Sequence, residues 1–141
     1  MNLSQHFAAS EFGVTSATPE SAILALTSLC VAVLEPIRAH FGPVSIHSGW
    51  RSPEANAAAH GASHSQHLGG FAADLHVAGH TIEAVAAWLH ASPLVYVDQV
   101  ILETRAGKLP YTWLHCSHVE GKNRDQFLCS LDGKTYKAWT P

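Results

Sequence analysis

At 141 residues, 47% of them hydrophobic and 13% charged, the chain can bury its own core and is too apolar to be disordered, so one domain over residues 1–141 is expected. A formal net charge of −3 gives no basic field for nucleic acid or an anionic lipid surface, and neither is expected as a partner. The histidines, 11 in all, are scattered, and Cys30, Cys116 and Cys129 lack metal-type pair spacing and read as reduced thiols of a protein made in the cytosol.

Thr18-Pro19-Glu20 predicts a helix start, with Thr18 as cap and Pro19 at the first helical position. Ile23, Leu24, Leu26, Leu29, Val33, Leu34 and Ile37 follow at helical spacing, and Phe41-Gly42-Pro43 ends the helix. The apolar run within it, Ala22 to Leu34, is too short to span a bilayer and has no Lys or Arg before it. No membrane span and no signal peptide are therefore expected, with synthesis in the cytoplasm.

Val44 to Arg51 predicts a strand, Pro53 to His60 a short alanine-rich helix, and Leu75 to Val77 another strand. Thr81 caps a second main helix through Ala84, Val85, Trp88 and Leu89. Strands are expected over Gln99 to Glu103, Trp113 to Val119 and Gln126 to Leu131, with Asp132-Gly133 turning a hairpin into Lys134 to Trp139.

Side-chain parity orders these strands. Val44 and Ile46, Leu75 and Val77, Val100 and Leu102, and Leu114 and Cys116 make one apolar face for the helices to cover. The opposite parity carries Ser45, His47 and Arg51, Asp74 and His76, Gln99 and Glu103, and His115 and Ser117, with Ile101 and Trp113 as cleft walls. The expected fold is a two-layer α+β domain: a mostly antiparallel sheet, helices on one face, a polar cleft on the other. Cys116 lies next to His115 but points to the other face, which excludes it as a ligand.

In Ser65-Gln66-His67-Leu68-Gly69-Gly70-Phe71-Ala72-Ala73-Asp74 and Trp113-Leu114-His115, two imidazoles and a carboxylate are offered. Three such ligands with an open fourth position are what a catalytic zinc needs. Glycines and alanines between the first two keep bulk away from a shared ion. No His-Glu-x-x-His helix is present.

The first string resembles the Ser-x-His-x-x-Gly-x-Ala-x-Asp signature of the zinc D-Ala-D-Ala carboxypeptidases, which include peptidoglycan-cleaving peptidases and phage endolysins with a Trp-x-His strand downstream. His6-Phe7 to Glu11-Phe12, Ser48-Gly49-Trp50-Arg51-Ser52-Pro53-Glu54-Ala55-Asn56, Asp98 to Glu103 and Asn123-Arg124 are similar to further blocks of that family. The resemblance implies one Zn2+ per chain on His67, Asp74 and His115, and hydrolysis of a stem-peptide amide by metal-activated water. The product is a released terminal D-Ala or an internal, endolysin-type cut. It also implies that Arg51 meets a substrate carboxylate or the developing oxyanion, which a bidentate guanidinium suits. Ser65 either binds substrate or caps the local turn.

The family's usual general-base positions hold Thr112 and Trp113, neither of which accepts a proton near neutral pH. Glu103 has the right parity and is expected to be the base. His64, three residues before His67, is an alternative as a proton relay, whereas Glu120 and His118 have the wrong parity. The expected partner is a peptidoglycan peptide, and the protein is expected to be a monomer acting on the cell wall after release. The alternative function is a non-catalytic, zinc-containing binding domain of the same fold.

Overall fold

The long apolar stripe forms a helix, but not a uniform one. In the computed structural model, which describes Met1–Pro141, α1 (Glu20–Leu29) and α2 (Glu35–Phe41) are joined by a π-helical turn, Cys30–Leu34. Pro36 explains the turn. Its ring lacks an N–H and crowds the carbonyl four residues back. The wider turn, in which the Glu35 N–H donates to the Cys30 carbonyl, takes up that misfit. Thr18 is not the cap. Its hydroxyl accepts from the Thr15 N–H at 2.9 Å, and Pro19 holds the N-cap position, so the helix starts one residue later than expected.

Leu26, Leu29, Cys30, Val33, Leu34 and Ile37 are fully buried, whereas Leu24 is 63% exposed. Two residues from Leu26 is nearly the opposite side of a helix, so Leu24 falls off the stripe. Because the helix continues through Pro36, it reaches 22 residues, and by length and composition alone it could cross a membrane. Its inner face is instead built into the core against the sheet.

That sheet has six strands in the order β1-β2-β4-β3-β5-β6. They are β1 (Val44–Ser48), β2 (Ala72–Val77), β3 (Gln99–Glu103), β4 (Trp113–Ser117), β5 (Gln126–Ser130) and β6 (Lys137–Ala138). All neighbours pair antiparallel except β3 and β5, which are parallel. The expected α+β fold is thus correct, with a mixed sheet. α3 (Pro53–Ala58) follows β1, and α4 (Ile82–His90) starts where the Thr81 hydroxyl accepts from the Ala84 N–H at 3.0 Å. The β5–β6 connection is wider than a two-residue hairpin. The Asp132 carboxylate accepts from the N–H groups of Lys134 and Thr135 and holds an open turn, leaving β6 short.

Parity places the core correctly. Leu75, Val77, Val100, Leu102, Leu114 and Cys116 join α1, α2 and α4 residues in one apolar cluster, and Cys116 is fully buried on that face. Burial pushes the Cys30 thiol up to about 12, as suits an inert core cysteine. One correction concerns β1. Ile46 pairs Leu75, but the next pair is Ser48 with Asp74, so His47 is a bulged residue and the strand ends at Ser48. Arg51 therefore reaches the open face from the following turn, not from a strand.

A 3-10 turn over Gln66–Gly69 carries His67 and ends in Gly70, which has φ +78°. A Cβ there would lie 2.4 Å from the Ala22 carbonyl oxygen on α1. Gly79 has nearly the same φ, +80°, with no atom near its Cβ direction. Gly79→Ala should therefore cost only the left-handed strain, about 1–2 kcal/mol. Gly70→Ala should cost a further ~1–3 kcal/mol from the clash. Urea denaturation of both variants measures the difference; equal losses would show that α1 does not press on this turn.

Candidate metal centre

The buried groups on the open face converge on one carboxylate. Asp74 on β2 pairs directly with His115 on β4, so both side chains project from the same face. His67 arrives from the 3-10 turn. Its Nε2 lies 3.3 Å from Asp74 Oδ1, and His115 Nδ1 lies 3.2 Å from the same oxygen. The three donor atoms all lie within 4.8 Å of one another, and all three residues are buried. Burial alone would raise the Asp74 carboxyl. Hydrogen bonding and positive charge from His115 and His67 in their protonated forms outweigh it and hold the group well below the ordinary carboxylate range.

Each ligand is also held from behind. The Gly49 carbonyl accepts from His67 Nδ1 at 2.7 Å, which fixes the proton there and leaves Nε2 with a free lone pair. Arg51 Nη2 donates to Asp74 Oδ2 at 3.2 Å, so Oδ1 is the oxygen left facing the histidines. Gln66 Oε1 lies 3.4 Å from His115 Nε2, opposite the converging Nδ1. Two imidazoles and a carboxylate, each oriented by a partner on its far atom, fit a divalent metal ion. The surrounding fold explains the placement. Phe12, from the N-terminal 3-10 turn Ala9–Phe12, packs where a Cβ on Gly49 would sit, and its carbonyl accepts from the Trp50 N–H at 2.9 Å.

Of the other expected site residues, Ser65 serves as the turn's cap, its Oγ accepting from the His67 N–H at 3.3 Å. Arg51 is tied down more than a substrate-facing arginine need be. Its Nε donates to Ser48 Oγ at 2.9 Å and its Nη1 contacts Asn56 Oδ1 at 3.5 Å. Three of its five N–H groups are thereby engaged and two remain. Glu103 pairs Trp113 across β3 and β4, beside the pair of Ile101 and His115. It is only 8% exposed, and its carboxylate has no hydrogen bond or ion pair. Burial raises its pKa, opposed by the charge of His115 and reinforced by that of Asp74. Trp113 and Ile101 share this face, and the Trp113 indole N–H is buried without a partner.

The other candidate bases are elsewhere. His64 is exposed, His118 Nδ1 bonds the Tyr96 carbonyl at 2.6 Å, and Glu120 meets Ser28 at 3.4 Å. A surface groove of about 740 Å³ lined by Leu24, Val31, Tyr96 and His118 shares no residue with the histidine–aspartate cluster. Sequence reasoning missed Ser48, Gln66 and the Gly49 carbonyl. All three lie inside the two motif strings, next to residues that were singled out.

A protein-family model described as peptidase M15 matches residues 5–104. The match takes in Arg51, Ser65, His67, Asp74 and Glu103 and ends before His115, whose place in the cluster rests on the β2–β4 register. No curated protein matches the chain.

Purified protein should hold about one divalent metal ion per chain, matching the single ligand group. Changing His67, Asp74 or His115 to Ala should remove it. Imidazole binds metal only when neutral and protonates with a pKa of about 6.5 in water, so metal content should fall as pH drops toward ~5. Elemental analysis after dialysis across that range checks both expectations, and retention of full metal by any one variant would remove that residue from the ligand set.

Proposed function

The chain belongs to the peptidase M15 family, and from that premise we propose that it is a zinc-dependent peptidase cutting amide bonds in peptidoglycan stem peptides. It either removes a terminal D-Ala or cuts internally. The observation that carries the reading is the buried set of His67, Asp74 and His115, its donor atoms all within 4.8 Å of one another and each residue oriented from behind. Zinc held there supplies a Lewis acid that polarises a carbonyl and makes water acidic near neutral pH.

The chain's own residues supply the rest. Glu103 is a carboxylate without a partner on the site face, and it accepts the proton of the attacking water and passes it to the leaving amine. Burial suits it to this work, because a base with a raised pKa holds the proton more firmly as it moves. Arg51, with two N–H groups uncommitted, binds the terminal carboxylate of a trimmed peptide or the oxyanion of a cut one. Ser65 still has its hydroxyl proton to donate to the peptide, since its oxygen alone is used in capping.

Purified peptidoglycan incubated with the zinc-loaded protein should release D-Ala or shortened stem peptides, identified by mass spectrometry. Glu103→Gln should keep its zinc and fold while turnover drops by ~10²–10⁴. The acid limb of wild-type activity should lie above the ordinary glutamate range, since burial raises the group that must be deprotonated. Metal content measured at each pH separates that limb from ligand protonation. Equal turnover by wild type and Glu103→Gln would move the base elsewhere, and intact peptidoglycan with zinc-loaded wild type would favour the binding-domain alternative.

A further inference from the structure

Asp98 and Arg124 lie in sequence blocks that the catalytic reading leaves without a task. Both are connected to the site through Gln66. Arg124 is ionised at any ordinary pH. Its backbone N–H and Nε donate to Asp98 Oδ1, each at 2.9 Å, and its Nη2 donates to Asp98 Oδ2 at 2.8 Å. These hydrogen bonds hold the Asp98 carboxyl below its usual range, so the group is a carboxylate and can only accept. The atom of Gln66 that faces Asp98 Oδ2, at 2.7 Å, is therefore the amide nitrogen. That orientation leaves Oε1, which can only accept, turned toward His115 Nε2 at 3.4 Å.

We propose that Gln66, oriented by Asp98 and Arg124, is a positioning residue that keeps the proton of His115 on Nε2 and so reserves Nδ1 for the metal. The inference rests on His115 being a ligand. It has an opponent within the site. Asp74 Oδ1, 3.2 Å from His115 Nδ1, draws a proton onto the very atom that must coordinate. His67 escapes the same pull because the Gly49 carbonyl, at 2.7 Å, holds its proton on the far nitrogen. Gln66 does for His115 what Gly49 does for His67. A side-chain amide can turn over, however, and a backbone carbonyl cannot. Asp98 and Arg124 remove that freedom, because a flipped Gln66 would set its carbonyl against the Asp98 carboxylate and its NH₂ against His115. Asp98 is only 2% exposed, so the misplaced contact would be made in a poorly solvated place.

Two measurements test this without turnover. In the first, zinc affinity is measured by competition with a chelating indicator for wild type, Gln66→Met, Arg124→Met and the double variant. Gln66→Met should bind zinc roughly 10–100-fold more weakly. Arg124→Met should show a smaller loss in the same direction, and the double variant should be no weaker than Gln66→Met alone, because Arg124 acts through Gln66. The Arg124 side chain is 57% exposed, and in Arg124→Met the backbone N–H of residue 124 and Gln66 Nε2 still donate to Asp98, so this variant keeps the test open even if Gln66→Met does not fold. In the second, ring-nitrogen NMR of the zinc-free protein at pH 8 should show the His115 proton on Nε2 in wild type and on Nδ1 in Gln66→Met. Zinc affinity within about threefold of wild type for both single variants, additive losses in the double variant, or a wild-type proton on Nδ1 would each overturn the proposal. Failure to cleave peptidoglycan would count against the peptidase reading alone, since neither measurement involves a substrate.

Discussion

The site depends on how a buried carboxylate is kept charged. Asp74 is 7% exposed on a central strand, and burial by itself would favour its neutral form. The two imidazoles facing Oδ1 reverse that preference, and Arg51 lies against the other oxygen. The groups come from three separate places: a turn after an edge strand, a 3-10 turn, and the next strand of the sheet. Moving any one of them strands the others, because an unpaired charge in this setting is costly. The same requirement accounts for the neighbours. Gly49 accepts Phe12 against its backbone, and Gly70 lets the His67 turn lie on α1.

The core and the convergence of His67, Asp74 and His115 were legible in the sequence for related reasons. Alternation along a strand depends only on local geometry, so Leu75, Val100, Leu102 and Leu114 sorted to one face, and Asp74, Glu103 and His115 to the other. Alternation fails where the ladder is irregular. The bulge at His47 was hidden because it adds a residue without changing composition, and it is what brings Ser48 opposite Asp74 and ends β1 before Arg51. The π turn was hidden as well, although Pro36 announced that something had to yield in the helix. Leu24 was misplaced because its hydrophobicity, not its angular position, put it in the stripe. The contact of Gln66 with Asp98 joins residues 32 positions apart, and no local pattern carries such information.

The N-terminal block that resembles the family has a structural role in this chain. The His6 ring and the Ser4 hydroxyl meet Glu35, at the junction where the π turn passes into α2, at 2.7 and 2.6 Å. Phe7 and Phe12 meet edge to face and are buried beneath. The block thereby ties the start of the chain to the long helix and backs the Gly49–Trp50 segment, on whose carbonyl the tautomer of His67 depends. Residues far from the metal site in sequence thus act on it by fixing one carbonyl oxygen.

Protons and a metal ion compete for the same three atoms. His67 Nε2 and His115 Nδ1 both face Asp74 Oδ1, so each of these nitrogens is open either to a proton or to a metal ion. A cation at the centre satisfies all three donors together and displaces those protons. The depressed Asp74 carboxyl sets the sign of the acid response. A carboxylate with a lowered folded-state pKa contributes stability above its unfolded pKa and loses it as pH falls through the folded one. Asp74 therefore keeps its charge to lower pH than an ordinary carboxylate does. Glu103 stands outside this competition. Its carboxylate has no partner and its pKa is raised by burial, opposite in direction to that of Asp74.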